Sequence, residues 1–326
     1  TVNDFLCGDE ANNKLYFSVY NAAEDSWTAF TLLNNNLPPV ANMSIKIVGG
    51  LAYLALECDW DEDFDTSNDR EIVLIQYVFA TEKIIITRIT ENFVNDSSPE
   101  LVAFNGKIFM AYRSGDDIMY WYENQSYYIC TLPQSYTEFA MFASNEYAVL
   151  LFTSSVEGIA QVFAAVMDIE CMQFSIPAQI TFGEKPARSP VISLDSDGFT
   201  LYYIIDTYTL ISQAEEEFDF NVTSEIATRA ITYQSDLSIE IAAPDYSQMS
   251  PEEEFTFTVR IYNTGLLNIN DALLKAYIGE QVAAQVVVDF ILGNGYSDVE
   301  IAFTLPSHYA SITFTIEKDG LDEDTE

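Results

Sequence analysis

Histidine is almost absent from this chain: one residue, His308, in 326. That removes Ser-His-Asp and Cys-His relays, and any histidine-rich metal site, from everything upstream of it. His308 itself, in "PSHYA", reads as a surface turn residue. Basic residues are scarce as well, 13 Lys and Arg against 51 Asp and Glu, for a formal net charge of −38. A field of that sign repels nucleic acid and anionic membranes and favours cations or basic partners, so no nucleic-acid partner is expected. Cysteine is sparse and scattered. Cys7, Cys58, Cys130 and Cys171 form no C-x-x-C, which argues against a zinc site or a redox motif. Two disulfides and buried free thiols both stay open. No apolar run approaches the roughly 18 residues of a membrane span, the longest being strand-sized, such as "AVLLF" and "AAQVVV", so no membrane insertion is expected. Helical periodicity is never sustained beyond a turn or two.

What is present is apolar and aromatic. Hydrophobic residues make up 49% of the chain, with 22 Phe and 20 Tyr spread along it, so the chain is globular and not an acidic disordered tail. Its length exceeds one ordinary core and suits two domains or a repeat array. Thr1 begins inside folded-looking sequence, and the reading is a trimmed piece of a longer multidomain chain.

Five stretches share a register: "NKLYFSVY" from Asn13, "GLAYLALE" from Gly50, "GKIFMAYR" from Gly106, "NEYAVLLF" from Asn145 and "GFTLYYII" from Gly198. Each opens on Gly or Asn, as a tight hairpin turn requires, and continues in β-branched and aromatic residues. Flanking strand candidates include "PELVAF" and "PVISL" before the turns, and "EIVLIQYVFA" and "GIAQVFAAVMD" after them. Four antiparallel strands recurring every 40 to 55 residues or so is a blade pattern. Over residues 1–234 the chain resembles the β-propeller repeats of bacterial exported proteins, without the G-H…W-D marks of WD40 blades.

From Asp236 the register changes. "SPEEEFTFTVRIYNTG", the hairpin "VDFILGNGYSDVEIAFTL" and a closing "ASITFTIEKDG" give seven short strands with turns every 8 to 12 residues or so, the pattern of an immunoglobulin-like sandwich. Residues 235–320 resemble the CARDB family, adhesion-type Ig-like domains of bacterial and archaeal surface proteins. That family's V-x-N-x-G turn stands here as "IYNTG", with Tyr262 where many members keep a polar residue. The resemblance implies an extracellular, non-catalytic spacer or interaction module. Residues 321–326, "LDEDTE", read as an acidic tail or linker. The expected fold class is therefore all-β: a propeller of four-stranded blades followed by an Ig-like β-sandwich. The richness in Ile, Asn, Phe and Tyr reads as that of a secreted bacterial protein.

Two stretches invite chemistry. In "CDWDEDFDTSNDRE" Asp59, Asp61, Asp63 and Asp65 alternate, with Asp69 beyond. A curled loop of this kind can point several carboxylates at a calcium ion, which takes six to eight oxygens or so. It is not an EF-hand, since Arg70 stands at the twelfth position and no Gly at the turn. These five aspartates are the candidate metal ligands, against the alternative of a solvated acidic loop. The second stretch, "IMYWYENQSYY", packs aromatics whose faces can stack on sugars, which makes Tyr120, Trp121 and Tyr122 candidate ligand-binding residues; in a strand, inter-blade packing is the competing role. "SLDSDGFT" departs from the sialidase Asp-box by one residue and a missing Trp, and a hairpin at Asp197–Gly198 accounts for it. The function expected from sequence is a non-enzymatic extracellular or cell-surface adhesion module, binding a glycan or a protein and stabilised by calcium. The alternative is an extracellular carbohydrate-active enzyme using paired carboxylates.

Overall fold

The computed structural model describes residues 15–21, 23–32, 40–59, 70–132, 139–214, 217–242, 250–307, 311–318 and 324–325. The all-β expectation holds, with no helix among the described residues. The chain divides into two compact units, residues 1–134 and 135–326.

The first unit opens with two-residue strands, Tyr16–Phe17 (β1), Tyr20–Asn21 (β2), Ser26–Trp27 (β3) and Thr31–Leu32 (β4), paired β1 with β4 and β2 with β3. These are all the described residues show of the first repeat, whose starting Asn13 lies outside them. Two four-stranded antiparallel sheets follow in simple meander order. One runs Val40–Val48 (β5), Leu51–Asp59 (β6), Arg70–Val78 (β7) and Lys83–Arg88 (β8). The other runs Asp96–Phe104 (β9), Lys107–Ser114 (β10), Asp117–Tyr122 (β11) and Gln125–Thr131 (β12). The turns fall where Gly and Asn announced them. Gly49 and Gly50 take φ of 58° and 77° between β5 and β6, and Asn105 and Gly106 take 48° and 70° between β9 and β10, the positive values a two-residue hairpin needs.

The inner strands are buried over Leu54–Asp59 of β6 and Glu71–Ile75 of β7, and their period of two sends alternate residues into different cores. Leu54, Leu56, Val73 and Ile75 fill one face. Ala55, Ile72 and Leu74 fill the other, against Leu101, Ile108, Met110 and Tyr112 of the second sheet. A strand with no solvent face reads as a continuous apolar run, and any charged residue in phase with it is carried inward.

In the second unit, Phe139–Ala143 (β13), Tyr147–Val156 (β14), Ile159–Asp168 (β15) and Ala178–Gln179 (β16) form a third four-stranded sheet. Ala187–Leu194 (β17), Gly198–Ala214 (β18) and Glu217–Thr232 (β19) form a sheet of three. "SLDSDGFT" is a turn between β17 and β18. A Cβ on Gly198 would lie 2.1 Å from the Ile231 carbonyl oxygen, so the position tolerates only glycine.

The remaining strands are Leu237–Ile241 (β20), Glu254–Asn263 (β21), Ile269–Ile278 (β22), Gln281–Ile291 (β23), Gly295–Thr304 (β24), Ile312–Glu317 (β25) and Asp324–Thr325 (β26). They form two sheets, ordered β20-β21-β24 and β23-β22-β25-β26. One core serves both: Ile239, Val259 and Ile301 from the first meet Leu274, Val288 and Phe314 from the second. The expected boundary at residues 234/235 thus falls between β19 and β20, within the second unit. The "IYNTG" turn closes on itself through Asn263, which is fully buried. Its Oδ1 accepts from the Gly265 and Asp236 backbone N–H groups at 3.2 and 3.3 Å, and its Nδ2 donates to the Leu267 carbonyl at 2.7 Å.

Candidate functional site

Charge is gathered at the end of β6, β7 and β9 that borders the aspartate-rich loop. The burial of β6 continues to its last residue, so Glu57 and Asp59 are carried in with it and are 4% and 0% exposed. Glu71, second in β7, and Asp96, first in β9, are 1% and 0% exposed. Carboxylates taken out of water need donors and cations to replace it.

Those donors are distributed unevenly. Glu57 is satisfied at both oxygens: Arg70 Nη1 donates to Oε1 at 2.8 Å and the Ser98 backbone N–H donates to Oε2 at 3.0 Å. Glu71 Oε1 accepts from the Asn92 backbone N–H at 2.8 Å and from Arg88 Nη2 at 3.3 Å. Asp96 Oδ2 accepts from Asn92 Nδ2 at 2.8 Å. One residue, Asn92, therefore holds both Glu71 and Asp96. Their other oxygens, Glu71 Oε2 and Asp96 Oδ1, are buried and meet no hydrogen-bond donor among the described residues. A buried acceptor left in this state costs about 1–3 kcal/mol. The phenol of buried Tyr112 is raised above its ordinary pKa, chiefly by burial and further by the charges of Asp96 and Glu71. Its hydroxyl lies 3.0 Å from Ser126 Oγ.

Cys58, between Glu57 and Asp59, has its thiol pushed up to about 12, first by burial and then by those two carboxylates. It is an inert core thiol and not a nucleophile. Cys58, Cys130 and Cys171 are free, which resolves the open alternative for these three, while Cys7 lies outside the described residues.

Of the candidate metal ligands, Asp61, Asp63, Asp65 and Asp69 lie outside the described residues. Asp59 is the buried root of their loop, paired across the ladder with Arg70. Among the described residues, no three His, Cys, Asp or Glu side chains gather in a way that could hold an ion. Strand geometry supplies a reason: Glu71 stands opposite Cys58 and leaves β7 on one face, while Glu57 and Asp59 leave β6 on the other.

The candidate aromatics are packed in the second sheet. Tyr120 is buried and stacked between Phe109 at 5.0 Å and Tyr127 at 4.9 Å. Trp121, half-buried, lies against the core shared by the two sheets. Tyr122 sits 5.8 Å from Phe109, with the Lys107 ammonium 5.5 Å above its ring.

No protein-family model matches the chain, and no curated protein matches it. Solved structures do. The chain is similar to a GH43 endo-arabinanase from Bacillus licheniformis, at 11% identity and a TM-score of 0.33, over 59% of this chain and 73% of that one. It is similar to the catalytic domain of a Coprinopsis cinerea GH62 α-L-arabinofuranosidase, at 10% identity and 0.33, over 71% and 86%. It is also similar to a Bombyx mori GH32 β-fructofuranosidase, at 8% identity and 0.32, over 89% and 87%.

The expectation of a chain without enzymatic activity stands against these findings: each of these three neighbours is, by its name, a carbohydrate-cleaving enzyme. Likeness at these scores argues for no particular activity, which leaves the chain's own residues to point to one. Sequence reasoning passed over Glu57, Glu71, Asp96, Arg88 and Asn92. The available signal was charge set in phase with doubly buried strands, "LALECD" and "REIVLI".

Proposed function

We propose that the chain is an extracellular carbohydrate-active enzyme that cleaves glycosidic bonds, with Glu71 and Asp96 as its carboxylate pair. The observation that carries this reading is the shared grip of Asn92: each carboxylate is fixed through one oxygen, and the other oxygen, Glu71 Oε2 or Asp96 Oδ1, is left without a donor. Glycoside cleavage uses two fixed carboxyl groups, one to protonate the leaving oxygen and one to act on the sugar or on water. Glu57, engaged at both oxygens, and Arg70 and Arg88 hold the pair's surroundings in place. In this reading the repeats of residues 1–234 are propeller blades, and residues 235–320 are a CARDB-like Ig sandwich serving as a spacer. The shared apolar core of the two C-terminal sheets supports the second assignment.

Calcium held by Asp59, Asp61, Asp63, Asp65 and Asp69 is a second proposal at the same strand ends, favoured by the burial of Asp59 at the root of that loop.

The test is turnover on a panel of neutral polysaccharides and aryl glycosides, for the wild type and for Glu71→Gln and Asp96→Asn. The expected result is release of reducing ends by the wild type and its loss in both variants. Turnover that survives both substitutions would show a sealed, structural pair. A wild type that turns over none of the panel would remove the enzymatic reading.

A further inference from the structure

A cleft of about 320 Å³ lies in the second unit, lined by Gln161, Thr181, Phe182, Glu184, Lys185 and Tyr203 among others. Its rim is the segment 181–186, and the side chains beneath hold that segment in place. Buried Gln161 donates from Nε2 to the carbonyl oxygens of Gly183 at 3.1 Å and Lys185 at 3.4 Å. Buried Thr181 donates to Gln161 Oε1 and accepts from the Val162 backbone N–H, each at 2.8 Å. Gln179 Nε2 donates to the Thr181 carbonyl at 2.7 Å. The result is a fixed platform carrying an aromatic ring that should, by hydrophobicity alone, be buried. Phe182 is 66% exposed. One face of its ring is backed by the Arg229 guanidinium, 5.3 Å from the centroid, and Arg229 is in turn anchored at 2.9 Å on the Ile180 carbonyl.

From this we infer that the cleft binds one sugar ring of a neutral glycan. An exposed, pre-positioned aromatic face takes the apolar face of a pyranose or furanose. A cation behind the ring polarises it and fixes its tilt. Glu184, Lys185 and Tyr203 stand around it as the acceptor, donor and hydroxyl that sugar hydroxyls require. The volume sits at the small end of ligand sites, suiting one ring and not a long chain. The net charge of −38 disfavours polyanionic glycans and selects a neutral one. This binding role is separate from the cleavage assigned to Glu71 and Asp96 and does not depend on it.

Affinity electrophoresis in gels cast with a neutral polysaccharide, with a polyuronate in parallel gels, tests the inference. Wild type, Phe182→Ala, Lys185→Ala and the double Glu71→Gln/Asp96→Asn variant are compared. Retardation of the wild type by a neutral polysaccharide is expected. Phe182→Ala should lose it, Lys185→Ala should weaken it, and the carboxylate variant should retain it whatever happens to its turnover. Because Phe182 lies on the surface, an unchanged melting curve verifies that its variant is folded. Retardation that persists in Phe182→Ala, retardation by the polyuronate alone, or none in any neutral polysaccharide would each overturn the site.

Discussion

Around the ends of β6, β7 and β9 four carboxylates are buried, and oxygens of Glu71 and Asp96 meet no donor among the described residues. Among the described residues of the two C-terminal sheets and their turns, the buried polar residues are Asn263 and Asn268. Both are satisfied: Asn263 ties up its own turn, and Asn268 accepts from the Gly293 N–H at 2.8 Å while donating at 2.7 Å to the Gln173 carbonyl, in the link from β15 to β16. One region carries a polar arrangement that folding alone does not require. The other buries no carboxylate among the described residues, and its one buried side-chain oxygen without a partner there is the neutral Thr315 Oγ1. Stability and chemistry are therefore expected to separate along the chain, since strained or unsatisfied groups persist where function uses them.

That contrast is most severely tested in the apolar region. Phe314, 1% exposed and 5.4 Å from Phe257, is central to the C-terminal core. Phe314→Ala should cost about 3–5 kcal/mol, read as a lowered denaturant midpoint. A cost under about 1 kcal/mol would mean that the two sheets do not share one core. Next comes the calcium proposal. At a hundredfold excess over its Kd, calcium should stabilise by about 2.7 kcal/mol relative to EDTA, magnesium should not, and Asp59→Asn should abolish the effect. An effect that survives the substitution would place the ion elsewhere.

Glu57→Ala leaves Arg70 and the Ser98 N–H without their partner and should cost about 1–3 kcal/mol, marking Glu57 as the structural member of the carboxylate set. No change in the melt would contradict that division of roles. The smallest effect is expected at Arg260, which donates to both oxygens of Asp298 at 2.7 and 2.8 Å on an exposed surface. The guanidinium holds the Asp298 carboxyl below its ordinary value of 3.8. Whatever the pair contributes is therefore present above that value and lost as pH falls through the depressed one. At neutral pH Arg260→Ala should move the melt less than Phe314→Ala or Glu57→Ala.

Much of this fold was legible in the sequence because hairpins declare themselves. Gly50, Gly106 and Gly198 mark real turns, and "FTFTVRIY" becomes the alternating strand β21. The "NTG" turn was also readable, since a Cβ at Gly265 would lie 2.0 Å from the Gln234 carbonyl oxygen. The carboxylate site was harder to see. Asparagine and glutamate are common throughout this acidic chain, and nothing local shows that Asn92, in the link from β8 to β9, joins Glu71 to Asp96. The aspartate run attracted attention by its spacing, whereas burial singles out its flanking residues. Tyr120 and Phe182 make the same point: clustering drew attention to the first, which is buried, and exposure identifies the second, which has no aromatic neighbours in sequence.

The central claim is that Glu71 and Asp96 serve chemistry and not stability. The measurement is a thermal melt and a glycan-turnover assay on one preparation of the Glu71→Gln/Asp96→Asn variant beside the wild type. Removing two negative charges from a buried, acid-rich site should leave the melt unchanged or raise it, while turnover disappears. A melt that falls while turnover persists would make the pair part of the scaffold and contradict the account.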